Sequence, residues 1–170
     1  MLALRLAGFL GSAGADAQGA GGTSGSRLEI FPGLAVGDGG RLLGVRGFPS
    51  DAVRGLRAYG GSVEYRAPLT LPARGIASLP LFLSRTSLSA FADAATAWCP
   101  ERLAERAFDC RPIDFERAAI ASAGAELNLD AALQYDVPYR LRAGVATPIA
   151  GRDRFGRSKV AAYVTAGLSF

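Results

Sequence analysis

The chain has 170 residues, 49% of them apolar, a net charge of +4 and no histidine. That length suits one domain, and the missing histidine removes Ser-His-Asp chemistry and histidine-ligated metals. Its positive charge is carried by arginines scattered along the chain, with Lys159 the only lysine, whereas nucleic-acid binding wants basic charge clustered with exposed aromatics.

Mean hydropathy is +0.20 although 20% of the residues are charged, yet no run reaches the roughly 18 apolar residues of a spanning helix. Hydropathy dispersed in short alternating pieces between 22 glycines points to strands. A bilayer admits strands only as a closed barrel, because every backbone N–H and C=O must find a partner within the protein. On composition alone a soluble β-sandwich remains the rival.

At the amino terminus, Leu2, Leu4 and Leu6 alternate with Ala3, Arg5 and Ala7. The stretch imitates a signal peptide with a small-residue site at Ala15-Asp16-Ala17, but Arg5 interrupts the apolar run it should precede. It reads better as a strand, which leads us to expect the chain to be the end of a longer one. A long Gly-rich segment follows (about 11–56), holding GVRGFP from Gly44 to Pro49 and no sustained period. Loops longer than about 15 residues inside a compact domain are usually functional.

The second strand is expected near 57–69, with Val63, Tyr65 and Ala67 on one face and Ser62, Glu64 and Arg66 on the other. A turn rich in proline and glycine (70–75) leads to a third strand, about 79–98, where Leu88, Ala90, Ala92 and Ala94 oppose Ser87, Ser89, Phe91 and Asp93. Cys99 and Cys110 bound the next loop, 99–110. Their spacing is no metal spacing. A disulfide there fits an oxidising compartment and would contribute about 3 kcal/mol; two unpaired thiols are the alternative.

The fourth strand, about 118–134, alternates most cleanly: Ala123, Ala125, Leu127, Leu129 and Ala131 against Ser122, Gly124, Glu126, Asn128 and Asp130. A turn at Asp136 to Pro138 opens the fifth (139–149), where Leu141, Ala143 and Val145 oppose Arg140, Arg142 and Gly144. After the loop AGRDRFGRSK, the terminal segment 160–170 sets Ala162, Val164, Ala166, Leu168 and Phe170 against Ala161, Tyr163, Thr165, Gly167 and Ser169.

Long and short connections alternate, the habit of outer-membrane barrels. The polar face carries both signs of charge (Glu64, Arg66, Asp93, Glu126, Asp130, Arg140, Arg142), which suits a wet lumen where neighbouring strands can pair charges. The small alanines of the other face would fill a sandwich core poorly. The expected fold is all-β: residues 1–170 as an antiparallel transmembrane β-barrel portion. Its roughly six strands are too few to close even the smallest barrels, of about eight.

Five segments occur in an order that resembles the BamA/TamA-type superfamily, the bacterial surface antigen barrels of insertases and translocases. They are GVRGFP (44–49), GGSVEYRAPL (60–69), FADAATAW (91–98), YRLRAGVATPI (139–149) and GLSF (167–170). The likeness covers nearly the whole chain. It implies a barrel of about sixteen strands, of which these would be the last. It also implies that the loop bearing Gly44, Arg46, Gly47 and Phe48 folds into the lumen, where Arg46 would meet Asp93 with Glu64 close by. Phe170 would be an assembly signal on a terminal strand that forms one side of a gate, weakened by Gly167. One departure is Ala95, where the family usually has glycine.

Two functions stay open. One is the barrel of a protein insertase or translocase, acting on client outer-membrane or secreted proteins with accessory assembly proteins and outer-membrane lipid as partners. The other is a passive barrel anchor or pore attached to a domain upstream. A gene fragment without function of its own is a third, weaker possibility. Both main readings place the chain in the bacterial outer membrane, and neither involves catalytic residues, metal, cofactor or nucleic acid. No glycine-rich phosphate loop or metal cluster is found, so no enzyme is expected.

Overall fold

The computed structural model describes residues 1–12, 15–22, 29–31, 34–36, 43–75, 81–100, 118–133, 137–151 and 160–168. Among them there is no helix. The elements are β1 (Leu2–Leu10), β2 (Gln18–Ala20), β3 (Glu29–Phe31), β4 (Leu34–Val36), β5 (Val53–Gly55), β6 (Arg57–Thr70), β7 (Arg74–Gly75), β8 (Leu81–Trp98), β9 (Ala119–Leu133), β10 (Val137–Ala150) and β11 (Ala161–Leu168). Six of these, β1, β6, β8, β9, β10 and β11, pair antiparallel in that order, and β7 adds to β8. β4 lies parallel to β11 from Leu34↔Val164 to Val36↔Ala166, with β3 beyond it. The sheet is not closed.

The all-β, antiparallel expectation therefore holds, and the long strands lie where the alternation put them. Three details differ. β10 begins at Val137, with Pro138 opposite Ala132, because the turn residues join the ladder as soon as their partners are in register. The turn after β6 contains β7, pairing Arg74 with Leu83. Among its described residues the 11–56 segment holds four short strands; three residues are too few for a period of two to register in a sequence, and for β2, β4 and β5 the pairing is set by distant partners.

Strand register sorts the side chains into rows. On one face, Leu2, Tyr65, Ala90, Ala125, Val145 and Ala162 lie in successive register across the sheet, and beside them Ala67, Leu88, Leu127, Ala143 and Val164. No charged side chain interrupts that face between Tyr59 and Ala67, Leu88 and Ala94, Ala121 and Leu129, or Tyr139 and Ile149. It is nonetheless the open one: Leu4, Val63, Tyr65, Leu88, Leu127, Leu141, Val145 and Val164 are all exposed.

The opposite face is polar and covered. Ser87, Ser89, Asp93, Ser122, Glu126, Asn128 and Thr165 are buried there, and the segment between β1 and β6 folds back across part of it. Val45 and Phe48 of that segment pack with Leu43, Ala20 and Ala52 onto Ala58, Ala95, Ala97 and Ile120. Ala95 thus forms part of the seat on which the loop rests, and its methyl group is accommodated beside Leu43.

Two aromatics lie flat against glycines on the neighbouring strand, Phe91 opposite Gly124 and Tyr163 opposite Gly144. A Cβ at either glycine would come within 2.6 Å of the ring. Such pairs bury the exposed glycine backbone and fix register.

Candidate functional site: an ion cluster under the folded-back loop

The loop reaches the sheet through Gly44–Phe48. Its backbone is held by hydrogen bonds from Gly21 N to Leu43 O (3.0 Å) and from Gly22 N to Phe48 O (3.1 Å), with Gly22 bridged to Val45. Gly47 has φ +86°, a left-handed conformation that L side chains rarely adopt. A Cβ there would stand 2.6 Å from that of Ala146 on β10. Glycine at 47 therefore sets both the turn and the distance at which the loop meets the sheet. Phe48 is buried beside it.

Turned this way, Arg46 enters the polar face. Its Nε donates to Asp93 Oδ2 at 2.7 Å and its Nη2 to Asp93 Oδ1 at 2.9 Å, a forked pair. Its backbone N–H donates to Asp93 Oδ2 as well, at 3.1 Å. Nη1 donates to Glu64 Oε2 at 3.2 Å and lies 3.5 Å from Glu126 Oε2, an ion pair without a hydrogen bond. Nη2 also reaches Ser62 Oγ at 3.3 Å, and that hydroxyl donates to Asp93 Oδ1 at 2.6 Å. The guanidinium carbon stands 3.6 Å over the centre of the Phe91 ring, a cation–π contact that also shields one face of the charge.

Three consecutive register rows converge here. Ser62 and Asp93 share one, Glu64 and Phe91 the next, and Glu126 and Tyr163 a third across Gly144. Burial by itself would push the guanidinium's pKa down. The hydrogen bond and charge of Asp93, then the charge of Glu126, more than reverse that and hold it above its ordinary value. Arg46 is therefore a permanent cation. The side chains of Arg46, Asp93 and Glu126 are 12%, 2% and 3% exposed, so the charges depend on one another rather than on water.

The structure thus brings together Arg46, Glu64 and Asp93. Glu64 also accepts from Arg66 Nε at 2.5 Å, so it serves both the loop and its own wall. Sequence reasoning placed Ser62, Phe91, Glu126 and Tyr163 on this face but gave none of them a part in the cluster. Their strand parity was the available signal; their convergence on Arg46 depends on the cross-strand register, which one sequence does not display. A separate row carries Asp130, bound by Arg85 Nη2 (2.8 Å) and Arg140 Nε (2.5 Å).

Gly167 pairs with Arg140 near the end of β11, whereas Phe170 lies outside the described residues. Cys99 is buried at the end of β8, beside Leu56; Cys110 also lies outside them. No group of side chains suited to a metal occurs among the described residues. Comparison with protein-family models, curated proteins and solved structures returns no match to this chain.

Proposed function

We propose that this chain is the carboxy-terminal part of an outer-membrane β-barrel that assembles or translocates proteins without bond chemistry. The observation that carries the membrane reading is the inversion of the sheet: its apolar face is bare and its polar face covered. In water, each exposed leucine or valine forgoes about 1.5–3 kcal/mol of burial, and uninterrupted patches of this kind mark a membrane or partner surface. Lipid against the Leu2–Val145 and Leu88–Val164 rows removes that cost. β6, β8, β9 and β10, of 14 to 18 residues, exceed the roughly 9–11 that a tilted spanning strand needs.

Two features support assembly over passive anchoring. Among the described residues, the outer edge of β11 accepts a strand, at present β4, over Val164–Ala166. A three-residue parallel pairing is weak, so a client strand offering a longer antiparallel ladder would displace it. The Arg46 cluster meanwhile braces the wall from inside, so that the edge can work without the barrel collapsing. On this reading Cys99 and Cys110 form a disulfide that closes the connection after β8.

The test is reconstitution of the full-length protein in phospholipid vesicles with a urea-unfolded outer-membrane barrel as client. The client is expected to become compact and heat-resistant faster than in empty vesicles. Client folding no faster than in empty vesicles, together with steady ion conductance, would instead identify a passive pore.

A further inference from the structure

Glu126 touches two different elements. Its Oε2 accepts the Tyr163 hydroxyl at 2.7 Å and lies 3.5 Å from Arg46 Nη1. Glu126 is on β9 and Tyr163 on β11, and both stand opposite Gly144 of the intervening β10. The glycine is what lets them meet: a Cβ at 144 would lie 2.6 Å from the Tyr163 ring. One carboxylate oxygen thus joins the folded-back loop to the strand whose outer edge carries β4.

We infer that Tyr163 is a positioning residue that couples the seating of Arg46 to the firmness of β11. With Arg46 in place, the Glu126 carboxylate is held where it accepts the Tyr163 hydroxyl, which pins β11 across Gly144. Once Arg46 withdraws, Glu126 is a buried carboxylate without its counter-charge. It must draw in water or turn toward another donor, and either change weakens its claim on the Tyr163 hydroxyl. By linkage the effect is reciprocal: whatever pulls β11 away loosens Arg46 by the same factor. A strand engaging the β11 edge would thereby unlock the loop. This meaning for assembly rests on the proposed function; the coupling itself does not.

The experiment is hydrogen exchange, read by mass spectrometry, on the full-length protein folded in phosphatidylcholine bilayers. It follows the peptides containing β11 and Gly44–Phe48. Tyr163→Phe keeps the ring over Gly144 and removes only the hydroxyl. Exchange in β11 should rise about tenfold or more, the worth of a hydrogen bond to a charged group, and exchange in the loop peptide should rise with it. Arg46→Lys should loosen β11 in the parent protein but add little in the Tyr163→Phe background. Glu126→Gln, which leaves an acceptor for the tyrosine but no charge for the arginine, should loosen the loop and abolish the dependence of β11 on residue 46.

Unchanged β11 exchange in Tyr163→Phe, a loosened β11 with an unaltered loop, or strictly additive effects of the two substitutions would overturn the coupling. Should Tyr163→Phe fail to fold, unchanged exchange of both peptides in Glu126→Gln does the same. Exchange needs no client. A protein that shows the coupling and assembles nothing therefore loses the proposed function alone, and one that assembles clients without it loses only this inference.

Discussion

Arg46→Ala is expected to destabilise the folded protein by about 3–5 kcal/mol, the cost of leaving buried charges without their partner. Asp93 and Glu126 are nearly sealed from water, and removing the guanidinium takes from both the cation they are paired with among the described residues, leaving Glu64 its pair with Arg66. Asp93→Ala removes both acceptor oxygens of the fork but leaves Arg46 near Glu64 and Glu126, so it should cost less. Because the two residues share one interaction, the double variant should cost less than the sum; strict additivity would mean that they do not touch in the folded protein. Arg46→Lys should recover only part of the loss. A lysine amine is a point charge that cannot reproduce the fork, the cover over Phe91 and the reach to Glu64 together. Heat-induced unfolding of the barrel, followed by gel mobility, reads all four variants.

The second large effect belongs to the opposite face. Leu127→Arg is expected to cost about 2–4 kcal/mol in a bilayer, the penalty for an arginine on the lipid side near the midplane. Leu127 sits in the middle of the uncharged face, flanked by Leu88 and Ala143, so the new charge has no partner within its row. Its neighbour Asn128, one position along, points to the polar side and is bonded to Ser89. Asn128→Asp, a charge introduced at the same depth on that side, should cost far less because Arg142 stands opposite in register. The contrast between adjacent positions tells lipid from water more sharply than either value alone. Folding yield into vesicles across a urea series measures it; equal penalties at 127 and 128 would contradict the assignment of faces.

Strand identity and facing were legible because alternation over eight or more residues carries its own phase. Leu127 and Asn128 can be assigned to opposite faces from the sequence, and the register in the structure agrees. The forked pair of Arg46 and Asp93 was reached through a resemblance rather than through periodicity, since nothing local to GVRGFP says where that loop goes. Glu126 and Tyr163 illustrate what one sequence withholds. Their meeting requires β9 and β11 to be aligned on the same residue of β10, and alignment between strands is decided by pairing energies summed over whole ladders. The short strands β2–β5 were illegible for a related reason: each is three residues long, and β2, β4 and β5 exist because a distant segment offers hydrogen bonds, with β3 pairing onto β4 in turn.

The inverted sheet is tested most directly by single nitroxide labels at Val63, Leu127, Ala143 and Val164 on one face, and at Ser62, Ser89, Asn128 and Thr165 on the other. The labels are placed in the full-length protein in bilayers and read by collision with oxygen and with a water-soluble nickel chelate. The first set should collide with oxygen and be shielded from nickel, while the second should show no such bias toward oxygen. Nickel reaching Val63 and Leu127 as freely as a loop residue would place that face in water and end the membrane account.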